Sequence, residues 1–311
     1  MTLCYYDGTT AYHITDLITS AQWETKRTGS PSKLSISALL DSQFSWQLGS
    51  VVTLQTEDSD LFYGYVFSVT LEENKSVSVV AYDQMRYLKN KETYVFTNQR
   101  ADQIIAQVCQ DFGLQVGTLP NTGYMIPSLV EDQTSLFDIC LGALEETLNQ
   151  GGGRYTLWDD YGILQLSEVT SGSALLVLGD SSLVTSYSHQ QSIDEETYNR
   201  VVVSQQDGDS RIKYIAEATD NQSVWGLLQL SQNATTATND PQGLADSLLS
   251  LYNQASQTVT LKAMAQPTLR AGDVVQVSIA DAGLETTCLV EEVVQDLFHQ
   301  TMTLKVSVYP C

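Results

Sequence analysis

The sequence predicts a mainly β protein with an α+β insertion: two small antiparallel β-barrels flanking an α+β domain. Three observations carry this. Hydrophobic residues alternate with period two near both ends of the chain, as half-buried strands require. The period changes to 3.6 in the middle, as in helices that bury one face. The 311 residues are 42% hydrophobic and only 17% charged, too apolar for a disordered chain or a long coiled coil.

Taken in order, Leu34, Ile36 and Ala38 alternate with polar neighbours. From Leu61 the odd positions Tyr63, Tyr65, Phe67, Val69 and Leu71 form one row, opposed by Ser68, Thr70 and Glu72. After the polar Glu73-Asn74-Lys75 break, Val77, Val79 and Ala81 resume the pattern, giving an antiparallel hairpin. Ala101, Ile104, Ile105, Val108 and Phe112 then share a helical face that Gly113 closes. Asp102 falls on the opposite face, where replacement by Ala should cost less than about 0.5 kcal/mol.

Ser135 with Asp138 reads as a capping box for a second helix, with Phe137, Cys140, Leu141, Leu144 and Leu148 as its stripe and Gly151-Gly152-Gly153 as its end. Tyr155–Trp158 and Ile163–Leu166 form a hairpin across Asp159-Asp160-Tyr161-Gly162. Residues 168–195 and 231–239 are polar and read as connecting or insertion loops. Asp240-Pro241 opens a third helix that buries Leu244, Leu248, Leu251 and Tyr252. Val259–Ala265, Val275–Ile279 and Met302–Val308 alternate again, and Glu291-Glu292 interrupts Leu289–Phe298 as a β-bulge would. The expected divisions are a first β-barrel domain at 1–93, an α+β domain at 94–167, a connecting segment at 168–194, and a second β-barrel domain at 195–311 with the embedded helix 241–255.

Charge narrows the function classes. The net charge is −22, and residues 101–200 alone hold 14 acids against 2 bases. No third of the chain is basic, so sequence-specific nucleic-acid binding through phosphate neutralisation is not expected. No signal peptide, membrane anchor or transmembrane run is read. Cys4, Cys109, Cys140, Cys288 and Cys311 are scattered with no C-x-x-C pair, which fits a chain made in a reducing cytoplasm.

The search for catalytic chemistry is negative, and no catalytic, cofactor-binding or metal residues are assigned. There is no G-x-S-x-G, P-loop, G-x-G-x-x-G or H-E-x-x-H. His13, His189 and His299 lie in separate segments. The doublets Asp159-Asp160 and Glu291-Glu292 could supply acid/base carboxylates, but turn chemistry and opposed strand faces explain them more simply. Asp207-Gly208-Asp209 lacks the spaced ligands of a calcium loop. The sequons at Asn74, Asn221 and Asn233 carry no weight without a secretory signal. Trp23, Trp46, Trp158 and Trp225 fall in separate segments, which favours core or interface roles over a binding platform.

The stretch Val79–Lys91, VVAYDQMRYLKNK, resembles the segment that leaves the first barrel in baseplate hub proteins of contractile phage tails. The resemblance is to the type found in PBSX-like prophages and R-type bacteriocins. It continues through Ala101–Gly117, Thr122–Pro127, Thr134–Ile139, Tyr155–Leu166, Ser223–Gln229 and Ala271–Val275, in order and with spacing intact. It implies a homotrimer in which each copy supplies two β-barrels, matching a hexameric tail tube to a trimeric spike. The implied partners are the tail tube or tube-initiator protein, the spike, baseplate wedge proteins and the tape-measure protein. The implied location is the tail baseplate after synthesis in the bacterial cytoplasm. Tyr82, Tyr87 and Leu88 would then serve packing, with Arg86 either ion-paired or at an interface. Two alternatives remain open at this stage. One is a β-rich cell-wall glycan-binding or glycoside-hydrolysing protein, and the other is a neighbouring wedge or tube-end protein.

Overall fold

A computed structural model describes every residue except 74, 171–175, 180–181, 195, 208–209, 235–237, 239 and 309–311. The chain opens with seven strands: β1 (Thr2–Tyr6), β2 (Ala11–His13), β3 (Ile18–Lys26), β4 (Lys33–Leu39), β5 (Val51–Gln55), β6 (Asp60–Leu71) and β7 (Ser76–Tyr82). They pair in the order β3-β4-β7-β6-β5-β1-β2, every pair antiparallel. Leu3, Tyr5, Leu34, Ile36, Val52, Leu54, Val77 and Val79 point from these strands into one apolar core.

One strand departs from its sequence pattern. The aromatic row Tyr63, Tyr65 and Phe67 does not face this core; Phe62, Gly64 and Val66 do. A register shift between Val66 and Ser68 then turns Val69 back inward. One extra residue inverts the facing of everything beyond it, so an unbroken odd-numbered row in sequence becomes two faces in space. The outward rings meet others: Tyr63 packs on Tyr161, Tyr65 and Phe67 on Tyr87, and Phe67 on Tyr82.

The central unit contains β8 (Lys91–Gln99), α1 (Ala101–Asp111), β9 (Ile126–Ser135), α2 (Leu136–Asn149), β10 (Tyr155–Asp160) and β11 (Ile163–Glu168). It forms two hairpin-like ribbons, β8-β9 and β10-β11, closed over the apolar faces of the helices. Gly113 ends α1 at φ 67°, with Leu114 N–H donating to the Cys109 carbonyl and Gly113 N–H to Gln110, a Schellman cap. Ser135 caps α2 by accepting from Asp138 N–H. Cys109 and Cys140 are buried, and burial pushes the Cys109 thiol up to about 12. Both are inert core residues.

Asp102 corrects its sequence assignment. It is 8% exposed, and its carboxylate accepts from Thr122 N–H (3.1 Å), Thr122 Oγ1 (2.9 Å) and both Arg100 Nε and Nη2 (2.9 Å each). The helical wheel placed it opposite the apolar stripe. The loop ending at Thr122 covers that face, a long-range packing event that periodicity does not encode.

Next come β12 (Val177–Gly179), β13 (Val184–Ser192), β14 (Arg200–Asp207), β15 (Ser210–Glu217), α3 (Thr219–Trp225), β16 (Gln229–Asn233), α4 (Pro241–Tyr252), β17 (Ser256–Met264), β18 (Val274–Ile279), β19 (Leu284–Asp296) and β20 (Thr301–Val308). The segment 168–194 was expected only to connect, yet β12 pairs in parallel with β18 and β13 antiparallel with β17. Its polar composition belongs to an edge strand with mostly exposed side chains, which alternation of hydrophobicity cannot reveal. Strands β13, β17, β20, β19 and β18, with β12, enclose a core of Val259, Leu261, Val275, Val277, Leu304 and Val306.

The expected bulge is present between Val290 and Glu292. The expected helix 241–255 ends at Tyr252, and its Asp240 cap and Pro241 start are as read. It packs not on the barrel strands but on the separate sheet β15-β14-β16, with Val201, Val203, Leu244 and Leu248 as their shared core. The Asp207-Gly208-Asp209 turn and the sequon at Asn74 involve residues outside the described ones.

The decisive pairing is β19 with β3, from Glu292↔Lys26 to Asp296↔Gln22. It joins the two β lobes into a single 13-stranded sheet.

Candidate functional site

All three parts of the chain converge beside this pairing. Tyr82 ends β7, and Asp83 follows it at 1% exposure. One Asp83 oxygen accepts from Ser32 N–H in the first lobe, the other from Met85 N–H, both at 3.0 Å. An Asp in extended conformation before a helical turn is a good N-cap, and here the residue also ties that turn to the β4 side of the lobe. Gln84 next reaches into the central unit. Its Nε2 donates to the Gln115 carbonyl (3.1 Å) and to Asp159 Oδ2 (2.9 Å), and its Oε1 accepts from Gln115 N–H (2.9 Å). Asp159 Oδ1 accepts from Gly162 N–H at 2.7 Å, closing the β10-β11 turn.

The second lobe enters through the Arg270–Asp273 turn. The Arg270 guanidinium stacks 3.1 Å over the Trp158 ring of β10. Ala271 N–H donates to Thr25 Oγ1 of β3 (2.9 Å), and Asp273 Oδ2 accepts from Arg270 N–H (2.9 Å). Alongside, Arg27 Nε meets Glu291 Oε2 at 2.6 Å and Lys26 Nζ meets Glu292 Oε1 at 3.4 Å. The Glu291-Glu292 doublet is thus held in ion pairs across the two lobes.

The electrostatics follow from burial. Asp83 is held well above the usual carboxylate range, first by burial and then by the charge of Asp159, against the opposing Ser32 and Met85 N–H groups. Asp159 is raised as well, mainly by burial, against its hydrogen bonds from Gly162 and Gln84. Burial lowers Arg270 and raises Asp273. Two carboxyls that resist ionisation are common in acid/base sites. These two, however, spend their oxygens on backbone and amide donors that tie the first lobe to the central unit.

In the sequence Asp159 stands out only as half of a turn doublet, and Asp83 and Gln84 carry no mark of a role. The signal that could have found Asp83 is its place as an N-cap before Met85. Nothing local marks the charge of Asp159 that acts on it. Leu88 is buried, Tyr82 packs on Phe67, the partly exposed Tyr87 on Tyr65 and Phe67, and Arg86 sits 5.3 Å over the Phe67 ring.

The histidines stay apart: His13 lies near Cys4, His189 near Gln257 and His299 near Asp296. Among the described residues no group of three His, Cys, Asp or Glu could hold a metal ion, and no helix is long and apolar enough to cross a membrane. A cleft of about 470 Å³ opens between α2 and the second lobe, lined by Leu144, Glu145, Arg154, Tyr155, Glu196 and Tyr252 among others.

Comparison with known proteins agrees with this architecture. The phage-like element PBSX protein XkdQ of Bacillus subtilis is 34% identical over 253 residues, covering 80% of this chain and 77% of XkdQ. Among solved structures, the 43 kDa tail protein of prophage MuSo2 from Shewanella oneidensis shares 14% identity at a TM-score of 0.71, over 99% of this chain and 98% of that one. The E. coli c3393 protein, a type VI secretion system component with structural similarity to the T4 tail proteins gp27 and gp5, shares 10% identity at a TM-score of 0.60, over 99% of this chain and 77% of its own. The sequence model of one family matches residues 21–308, nearly the whole of both lobes and the unit between them. The chain belongs to that family, the YQBQ-like proteins, a phage baseplate-type family of mainly β fold with an α+β insertion.

Proposed function

We propose that this chain is a structural baseplate hub of a contractile tail, working as a homotrimeric symmetry adaptor between a hexameric tail tube and a trimeric spike. The observation that carries the reading is the β3–β19 pairing, which couples two β lobes of one chain into a single sheet. Three copies then offer six β units on the tube side while keeping threefold symmetry on the spike side. Such an adaptor must transmit load without its lobes shifting, and the Asp83–Gln84–Asp159 and Arg270–Trp158 contacts serve that need. The kinship with a PBSX element protein and the fold shared with prophage tail and type VI secretion proteins support the same direction.

On this reading the chain has no catalytic role and needs no cofactor. Its partners are the tube or tube-initiator protein, the spike, the wedge proteins and the tape-measure protein. It is made in the bacterial cytoplasm and ends in the tail baseplate. The test is the mass of the assembled species by light scattering, alone and with the adjoining tail proteins, together with a peptidoglycan zymogram. The expected mass is three times the 34.2 kDa of one chain, with no clearing of the gel. A dimer or hexamer within the particle, or clearing that Glu145→Gln or Glu196→Gln abolishes, would defeat the hub reading. The second outcome would assign the cleft to cell-wall hydrolysis.

A further inference from the structure

The sheet β15-β14-β16 buries one face against α4 and leaves the other open. Strand register places Arg200, Val202 and Ser204 of β14 on that open face. Glu217, Ile215 and Lys213 of β15 stand opposite them on one side, and Gln229, Ser231 and Asn233 of β16 on the other. Arg211 extends the β15 row, and its Nη2 reaches Asn233 Oδ1 at 3.2 Å. The chain has 15 basic residues in all, and three of them converge here. Among the described residues of this face, Glu217 is the one acid. It lies 2.9 Å from Arg200 Nε at an angle that makes no hydrogen bond. Ser204, not an acid, stands opposite Lys213. Beneath the cations Val202 is buried and Ile215 is 40% exposed.

The loop after α3 is tied to the start of β14: Leu228 N–H donates to Asn199 Oδ1, and Asn199 Nδ2 to the Gly226 carbonyl. It holds Leu227 at 57% exposure beside the Arg200 end of β14, while Val224, 76% exposed, belongs to α3, whose Asn221 reaches Asn253 after α4. An apolar centre beneath arginines has the anatomy of a protein contact rather than of a solvated face.

We propose that this open face is a contact surface between copies of this chain, docking head-to-tail on the acid-rich surface of the next copy. The inference rests on the ring reading above. What selects a second copy as the occupant is charge complementarity. Each copy carries −22, so most of its surface repels its neighbour, and a cationic face is the place where approach is favoured. The strands of 8, 8 and 5 residues give a face of roughly 400 Å² at ordinary strand rise and spacing. That is about half of one side of a standard interface, so this surface forms the steering centre of a larger contact.

The test uses the full chain as equal amounts of light and ¹⁵N-labelled copies, assembled alone or with the adjoining tail proteins. Carbodiimide then couples Lys213 to any carboxylate in contact. The expected result is Lys213 cross-links of mixed isotopic composition. The double variant Arg211→Glu/Lys213→Glu, checked for native circular dichroism, should raise the self-dissociation constant at least tenfold at low salt, with the difference shrinking at high salt. If the ring forms normally while Lys213 never links two copies, or the double variant assembles as wild type, this surface is overturned and the ring reading stands. If wild type binds a DNA fragment that the double variant does not, with ring mass unchanged in both, the face is a polyanion site and the proposal fails. A wild-type chain that stays monomeric with and without tail partners overturns the ring reading itself.

Discussion

Replacing Asp102 by Ala should destabilise the central unit by about 2–3 kcal/mol. The structure supplies the parts of that figure. Thr122, at 2% exposure, donates both its N–H and its hydroxyl to this carboxylate. Truncation leaves the N–H buried without an acceptor, at about 1–3 kcal/mol. The acid also lies in the first turn of α1, where a negative charge contributes about 0.3–1 kcal/mol against the helix dipole. Arg100 adds little, because its side chain is 24% exposed and can turn to water.

The pH dependence has a definite sign. Burial opposes ionisation of Asp102, but the Arg100 guanidinium and the Thr122 donors outweigh it, and its carboxyl lies below the usual range. Its contribution is therefore present above the unfolded value of about 4 and is lost as pH falls through the folded one. Urea unfolding at pH 7, with hydrogen exchange of the peptide spanning 101–112 to localise the effect, measures the cost. The gap between wild type and variant should narrow as pH falls below about 4. A cost under about 0.5 kcal/mol at pH 7, or a gap that widens in acid, would refute the role of Asp102 as the pin between α1 and the loop at Thr122.

Three other outcomes follow from the packing and the junction. Leu144→Ala removes a side chain 6% exposed on α2, and the same urea experiment should register about 2–5 kcal/mol. Gly272→Ala should cost about 2–4 kcal/mol: Gly272 sits at φ 96°, and a Cβ there would meet Thr156 Cγ2 at 2.5 Å, so strain and overlap act together. Asp159→Asn removes the charge facing Asp83, so a carbon-13 NMR titration should show the Asp83 carboxyl moving down toward the ordinary range. The raised Asp83 of the wild type has the opposite linkage to Asp102. Folding retains its proton, so this contribution is fullest below about pH 4 and fades as pH rises toward the folded value. An unmoved Asp83 resonance would show that Asp159 does not act on it.

Local chemistry made much of the fold legible. The strands around Ile36, Val79, Leu261 and Leu304, the stripes of both central helices, the Gly113 cap, the Asp240-Pro241 start and the Glu291 bulge all express short-range rules of periodicity and capping. The resemblance carried by Val79–Lys91 and the later segments led to the family, because residue order over a long span is itself information in the chain. Tertiary structure decided the rest. Polar Val184–Ser192 is a strand because β17 offers it an edge, not because its side chains alternate in hydrophobicity. The outward turn of Tyr63, Tyr65 and Phe67 depends on a single bulge and on the aromatic partners that wait on the other side. Gln84 and Asp159 are 75 positions apart in sequence, and Arg27 and Glu291 are 264 apart. Contacts between groups so distant along the chain arise from the β3–β19 pairing and the docking of the central unit, which no window of neighbouring residues contains.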